Sequence, residues 1–348
     1  MTWKLRRTNR LEEFDYHNVS PFKNDSSANS RGLLRINGRC NMACAFCFVD
    51  HSAPDFDLEE LKKEAEQMAR TGTRHFVISG GEPTLHPGLV ELVRFARSLG
   101  AFDVVEMQSN GVRCSDAQYA AELAGAGLNR VTFSLHCAEA DHSDRITHFP
   151  GGFARTVEAM HNFRRMGVVT QVAFVITREN FRELPDTVRF LAREFPREGG
   201  ELSICLAVAQ GISDLVLPWV IPTFTEIKPF VVEALDFCLA SGIGFGGMIG
   251  QGGYPPCMLD GAVRFYDGPT LDQVFRSPNC SEEFHKPPRC AGCSFDPYCL
   301  GPRRSYVRHY GDSEIRPFQA VLRRDAGRAE GLAEGRAEVL AESCEESP

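Results

Sequence analysis

The sequence predicts an α/β fold built on a partial (β/α)6 TIM-like barrel, followed by a small irregular C-terminal domain that carries clustered cysteines. Two observations carry the barrel. Strand-like and helix-like segments alternate along residues 33–208, and a helix between successive strands makes those strands parallel. The strands also alternate polar with apolar residues. Neighbouring strand residues point to opposite faces, and a flat sheet covered by helices on both sides would be apolar on both. One polar face instead implies a curved sheet, helices outside, and a polar lumen opening at the strand C-termini. The simpler alternative is that a few polar residues sit at exposed strand ends.

The elements follow in order. Residues 1–31 are polar, with Asn, Ser and Asp across Asn24–Ser30, and read as an extended arm. Leu33–Asn37 is the first strand, with Leu34 and Ile36 alternating against Arg35 and Asn37. Asp57–Arg70 is a helix with Asp57 and Glu60 at capping-box spacing. Strand Phe76–Ser79 and helix Pro87–Leu99 come next. Strand Val104–Ser109 sets Val105 and Met107 against Glu106, Gln108 and Asn110, and leads to helix Asp116–Ala124. Strand Val131–His136 sets Val131, Phe133 and Leu135 against Thr132, Ser134 and His136, and leads to helix Phe153–Met166. Strand Gln171–Thr177, helix Leu184–Phe195 and strand Leu202–Val208 end the series. Beyond lies a Gly- and Pro-rich stretch with one clear helix, Thr225–Ala240. The expected domains are an arm (1–31), a barrel (32–241), the cysteine-bearing domain (242–318) and a polar helical or disordered tail (319–348).

Composition narrows the functional classes. The chain has 348 residues and 13 cysteines, an odd count that excludes complete internal disulfide pairing. Met1–Phe14 has basic residues but no following apolar stretch, so no secretory signal is expected. The longest apolar runs, Val172–Ile176 and Leu215–Ile221, are too short to span a bilayer. The expected compartment is the reducing cytoplasm, where clustered cysteines bind metal or do chemistry. A net charge of −8 argues against a nucleic-acid binder.

Cys40, Cys44 and Cys47 stand at C-x3-C-x2-C spacing directly after the first strand. Three thiolates can hold three irons of a 4Fe–4S cluster and leave the fourth open, which suits chemistry rather than electron transfer alone. Phe46 is positioned to shield such a cluster from water. Structural zinc, with His51 as fourth ligand, is the alternative.

On these residues the sequence resembles a radical S-adenosylmethionine (SAM) enzyme, from about Leu33 to Val208. The resemblance makes Cys40, Cys44 and Cys47 the ligands of the reactive cluster. Ser79-Gly80-Gly81-Glu82-Pro83 matches the family's GGE motif, which binds the SAM amino group. Asn110 at the end of strand three, Ser134 and His136 on strand four, and Asn180 after strand five match polar positions near SAM. Each of these can equally satisfy local turn or strand-end groups. The chemistry implied is one-electron cleavage of SAM to methionine and a 5′-deoxyadenosyl radical, which takes a hydrogen atom from the substrate while the protein orients the reactants. A flavodoxin- or ferredoxin-type protein would be the reductant.

Cys290, Cys293 and Cys299 form a second cluster at C-x2-C-x5-C spacing among Pro and Gly. Cys257 is the expected fourth ligand and Cys280 its competitor. Four cysteines also suit zinc. The spacing resembles that of the SPASM and twitch extensions of radical SAM enzymes, which implies one auxiliary 4Fe–4S cluster. A full two-cluster SPASM domain uses more cysteines than follow here. Four thiolates would make an electron relay; three would leave an iron for substrate.

The leading functional expectation is tailoring of a polar small molecule, sugar- or nucleoside-like, by dehydrogenation, decarboxylation or epimerisation. The alternative is peptide maturation by crosslinking or epimerisation, and a non-catalytic zinc or Fe–S protein is a third reading. Only 32 residues precede the first strand, fewer than an independent leader-binding domain is expected to need, which lowers the peptide expectation unless a partner chain supplies that domain. Cys137 is a candidate hydrogen donor to a substrate radical, or a small core residue. Cys205 has the same ambiguity. Trp219 either caps the barrel mouth or packs.

Overall fold

Strand pairing in the computed structural model sets seven strands side by side in chain order, each neighbouring pair parallel, among the described residues 31–196, 199–209, 217–246, 253–259, 284–294, 296 and 299–317. The strands are β1 (Arg31–Arg35), β2 (His75–Ser79), β3 (Val104–Ser109), β4 (Arg130–Ser134), β5 (Val169–Ile176), β6 (Leu202–Val208) and β7 (Gly244–Gly246). The helices are α1 (Leu58–Arg70), α2 (Leu89–Ser98), α3 (Ala117–Ala126), α4 (Ala140–Thr147), α5 (Gly152–Arg165), α6 (Leu184–Glu194), α7 (Leu217–Val220), α8 (Phe224–Ser241) and α9 (Arg304–Tyr310). This is the open, partial TIM-like barrel expected, extended by one strand. All of the expected arm (1–31) but Arg31, which opens β1, and the whole expected tail (319–348) lie outside the described residues.

Local chemistry explains the elements. Asp57 caps α1 by accepting from the Glu59 and Glu60 amides, at 2.9 and 3.3 Å. The reciprocal capping box is at α8, where Thr223 and Glu226 exchange bonds of 2.8 and 3.2 Å. Asp116 caps α3 and Gly127 ends it at φ 111°, a left-handed position that suits glycine. Two elements departed from expectation. α4 is eight residues long and polar, too short for a helical periodicity to register. It is held by Glu139, whose carboxylate accepts from the Asp141 and His142 amides. β7 is a Gly-Phe-Gly step that reads as a loop and becomes a strand by pairing with β6.

The two sheet faces divide as the alternation implies. Outward residues such as Ile36, Phe76, Val105, Phe133, Val172 and Ile204 are fully buried beneath Leu61, Leu92, Leu123, Phe163 and Leu191 of the helices. Each such burial contributes about 1.5–3 kcal/mol. The inward face carries a polar chain. Glu106 contacts His75 Nε2 at 2.6 Å and accepts from Arg31 at 3.2 Å and Thr132 at 2.8 Å. Gln171 then joins Thr132 at 3.1 Å and Ser203 at 3.1 Å. Burial works to raise the Glu106 pKa, but His75, Arg31 and Thr132 together outweigh it and hold the carboxyl at about 2. This network lies toward the N-terminal end of the strands, where barrel residues secure the fold.

The C-terminal segment docks on the start of α8. Tyr306 stacks on Phe224, with ring centroids 3.9 Å apart, and its hydroxyl accepts from the Phe224 amide at 2.8 Å. Tyr310 donates to the Ile221 carbonyl at 2.7 Å. Trp219 is 78% exposed. No described helix is long and apolar enough to cross a membrane.

Candidate active site

The three-cysteine loop runs between β1 and α1 and is clamped onto the Gly80-Gly81-Glu82 turn after β2. The Gly81 and Glu82 amides donate to the Asn37 and Arg39 carbonyls at 2.9 and 2.7 Å, and Asn37 Nδ2 donates to the Glu82 carbonyl at 2.9 Å. Close backbone approach explains the glycines. A Cβ on Gly81 would lie 2.2 Å from the Gly38 oxygen and 2.3 Å from the Arg39 oxygen. Gly81→Ala should therefore cost about 2–4 kcal/mol in chemical denaturation and lower iron uptake at this loop. Gly125→Ala, in α3 with nothing within 4 Å, is the control and should be neutral or slightly stabilising. Equal midpoints for the two variants would show that the clamp does not matter.

The Glu82 carboxylate is fully enclosed and accepts four bonds. They come from the Thr84 amide (3.0 Å) and hydroxyl (2.7 Å), the Ser109 hydroxyl (2.8 Å) and the Asn110 amide (2.7 Å). Burial raises its pKa against these donors. The carboxylate thus fixes the end of β3 rather than facing the lumen. Asn110, so positioned, donates to Asn41 at 2.7 Å and lies 3.9 Å from Cys40 Sγ.

The thiols of the loop differ in exposure. Cys40 and Cys44 are half-buried and Cys47 is exposed. Burial pushes Cys40 up to about 11 and Cys44 up to about 12, reinforced by neighbouring thiolates. Such a set ionises together only when a cationic centre compensates it. The Cys40 sulfur accepts from the Met42 amide at 3.4 Å. His51 Nε2 lies 3.4 Å from Cys47 Sγ. The loop's cysteines, braced backbone and adjacent Asn110 fit a three-thiolate 4Fe–4S centre.

Phe46 turns inward and meets the His136 ring edge-on, 4.7 Å between centroids. His136 is buried, which lowers its pKa to about 4 and keeps it neutral. The Val175 amide donates to Nδ1 at 3.2 Å, which assigns the ring proton to Nε2. Ser134 is half-buried on the lumen face, in register with Ala173, which in turn pairs with Cys205.

Two of the expected site residues have their polar groups engaged with the scaffold. Asn180 does not face the lumen. Its Oδ1 accepts from the Thr177 amide and hydroxyl at 2.8 and 3.0 Å, and its Nδ2 donates to the His136 and Val175 carbonyls at 2.9 Å each. It is a clasp between the ends of β4 and β5. Cys137 is also not a lumen thiol. It is fully buried on the side opposite His136, donating to Glu183, which also binds His142. Burial, then the Glu183 hydrogen bond, pushes its thiol up to about 12. Cys205 is the cysteine on the lumen face. Sequence periodicity carried no signal for His142 or Glu183, which meet only through the fold.

The second cysteine set converges. Cys257, Cys290, Cys293 and Cys299 line one pocket, together with Lys286, Asp296 and Arg316. Burial, followed by mutual repulsion, pushes Cys290 up to about 11; burial pushes Cys299 up to about 12. The Gly301 amide donates to Cys299 Sγ at 3.2 Å, and a Cβ on Gly301 would sit 2.2 Å from the His285 oxygen. Four thiols around one cavity fit a fully ligated cluster. Cys280 lies outside the described residues.

Residues 34–191 match the model of the Radical SAM superfamily. PqqA peptide cyclase of Rhodopseudomonas palustris is 32% identical over 160 residues, covering 45% of this chain and 42% of that protein. A probable GTP 3',8-cyclase of Saccharolobus solfataricus is 33% identical over 154 residues, covering 43% and 49%. The chain thus spans less than half the length of these curated relatives. The solved structure of native anSMEcpe with bound AdoMet and Kp18Cys peptide aligns with a TM-score of 0.55 at 16% identity, covering 82% of this chain and 92% of that one. That likeness is one of fold.

Proposed function

Residues 34–191 are a radical SAM domain, and from this premise we propose that the chain is a radical SAM enzyme acting on a peptide, with a second 4Fe–4S cluster as electron relay. A SAM-ligated cluster supplies a 5′-deoxyadenosyl radical able to take hydrogen from an unreactive C–H bond. Cys40, Cys44 and Cys47 would hold the cluster, and Phe46, packed against His136, would help exclude water from it. The Gly80 and Gly81 carbonyls would accept from the SAM ammonium, since the Glu82 carboxylate is engaged with Thr84, Ser109 and Asn110. Ser134 and the Nε2–H of neutral His136 are the polar groups offered to SAM from β4, and Asn110 is offered from β3. Cys257, Cys290, Cys293 and Cys299 close the second cluster.

The clamp between the cysteine loop and the Gly80–Glu82 turn is the observation that carries the reaction class. The peptide, rather than the small molecule first expected, is supported by the similarity to PqqA peptide cyclase. The similarity to GTP 3',8-cyclase supports a nucleotide as the second reading. Reconstituted protein should be given SAM, a flavodoxin-type or chemical reductant, and either short peptides encoded beside its gene or GTP. Peptide-stimulated 5′-deoxyadenosine formation with a mass change in the peptide is expected. Stimulation by GTP alone would reverse the assignment.

A further inference from the structure

We propose that Cys137, His142 and Glu183 form a mononuclear metal site with a zinc-like preference, separate from both iron–sulfur sites. Their ligand atoms all lie within 4.8 Å of one another. They come from three pieces of chain: the connection after β4, the first turn of α4, and the 3₁₀ turn Phe181–Glu183 that precedes α6. A tetrahedral ion with bonds of about 2.0–2.3 Å separates its ligands by roughly 3.3–3.8 Å. One cation therefore lies within reach of these three donors.

The arrangement centres on the carboxylate. Glu183 meets the Cys137 thiol with one oxygen and His142 Nδ1 with the other. The thiol is fully buried, while the His142 and Glu183 side chains remain 18% and 32% exposed. Solvent thus reaches one side, where a water can complete the coordination. The surroundings fix each ligand. The Glu139 amide donates to Cys137 Sγ at 3.3 Å, and the Glu139 carboxylate accepts from the His142 amide at 2.6 Å. The Glu183 amide donates to the Asn180 carbonyl at 2.9 Å, and Thr187 donates to the Glu183 carbonyl at 2.9 Å. Such outer contacts preorganise ligands.

Donor chemistry selects the ion. One thiolate, one imidazole and one carboxylate suit zinc or a similar borderline divalent ion, whereas calcium and magnesium prefer all-oxygen shells. Binding displaces the thiol proton to solvent. Zinc has no redox chemistry, so it would not compete for the cluster's electrons. It would pin α4 to the β5–α6 connection directly behind His136 and Asn180.

Cobalt(II) is the probe, added anaerobically to full-length protein whose iron–sulfur sites are already loaded. The wild type should bind about one cobalt per chain with a thiolate-to-cobalt charge-transfer band. C137A should lose the band. H142A, at a partly buried position that leaves the thiol in place, should bind cobalt at least about tenfold more weakly. Absence of the band in the wild type, its persistence in C137A, or unchanged affinity in H142A would each overturn the site.

Discussion

Replacing Cys40, Cys44 and Cys47 together with Ala should reduce 5′-deoxyadenosine formation to the level seen without enzyme. The three thiols share one loop, braced at Gly81, Glu82 and Asn37, and no other described cysteine lies on it. Removing them leaves the brace intact, because its bonds run through main chain and Asn37. The variant should keep its fold and lose about half its iron, from about eight to about four atoms per chain by the two-site ligand count. Anaerobic reconstitution with iron analysis and product chromatography reads both quantities. Undiminished 5′-deoxyadenosine would defeat the assignment of this loop.

Substitution of Cys257 should have the second largest effect. In a chain already lacking the first three cysteines, Cys257→Ala should take the remaining iron from about four atoms toward zero, since three thiols at a half-buried cavity hold a cluster poorly. With the first loop intact, Cys257→Ala should still cleave SAM but lose substrate turnover, the signature of a broken relay. Iron content unaffected by Cys257→Ala would move the fourth ligand to Cys280.

The barrel was legible because several of its strands alternate polar with apolar residues, β4 most regularly. Val131, Phe133 and Leu135 against Thr132, Ser134 and His136 mark two faces, and the structure buries the first set under helices and turns the second inward. Elements without such a pattern were not legible. α4 depends on a Glu139 cap and on Asp144, which accepts from the Gly151 and Phe153 amides at 2.5 and 2.8 Å. β7 depends on an edge offered by β6.

The site divides in the same way. Cysteine spacing announces the loop and the second set, since a ligand cluster must be compact in sequence when it sits on a loop. Direction is what spacing leaves out. Asn180 and Glu82 are polar residues at strand ends, as Asn110 is, yet their bonds turn them into the scaffold. Which way a strand-end side chain points depends on where neighbouring amides need partners, and those neighbours are distant in sequence: Glu82 meets Asn110, and Asn180 meets His136. The same holds for Cys137, whose partners His142 and Glu183 come from two other connections.

The central claim is that SAM binds directly at the cluster held by Cys40, Cys44 and Cys47. Electron paramagnetic resonance of the reduced, reconstituted protein tests it most directly. Addition of SAM should change the signal of one cluster and leave the other unaltered, and the change should vanish in the variant lacking these three cysteines. A spectrum indifferent to SAM in the wild type, or a SAM-dependent change that survives loss of the three thiols, would contradict the account.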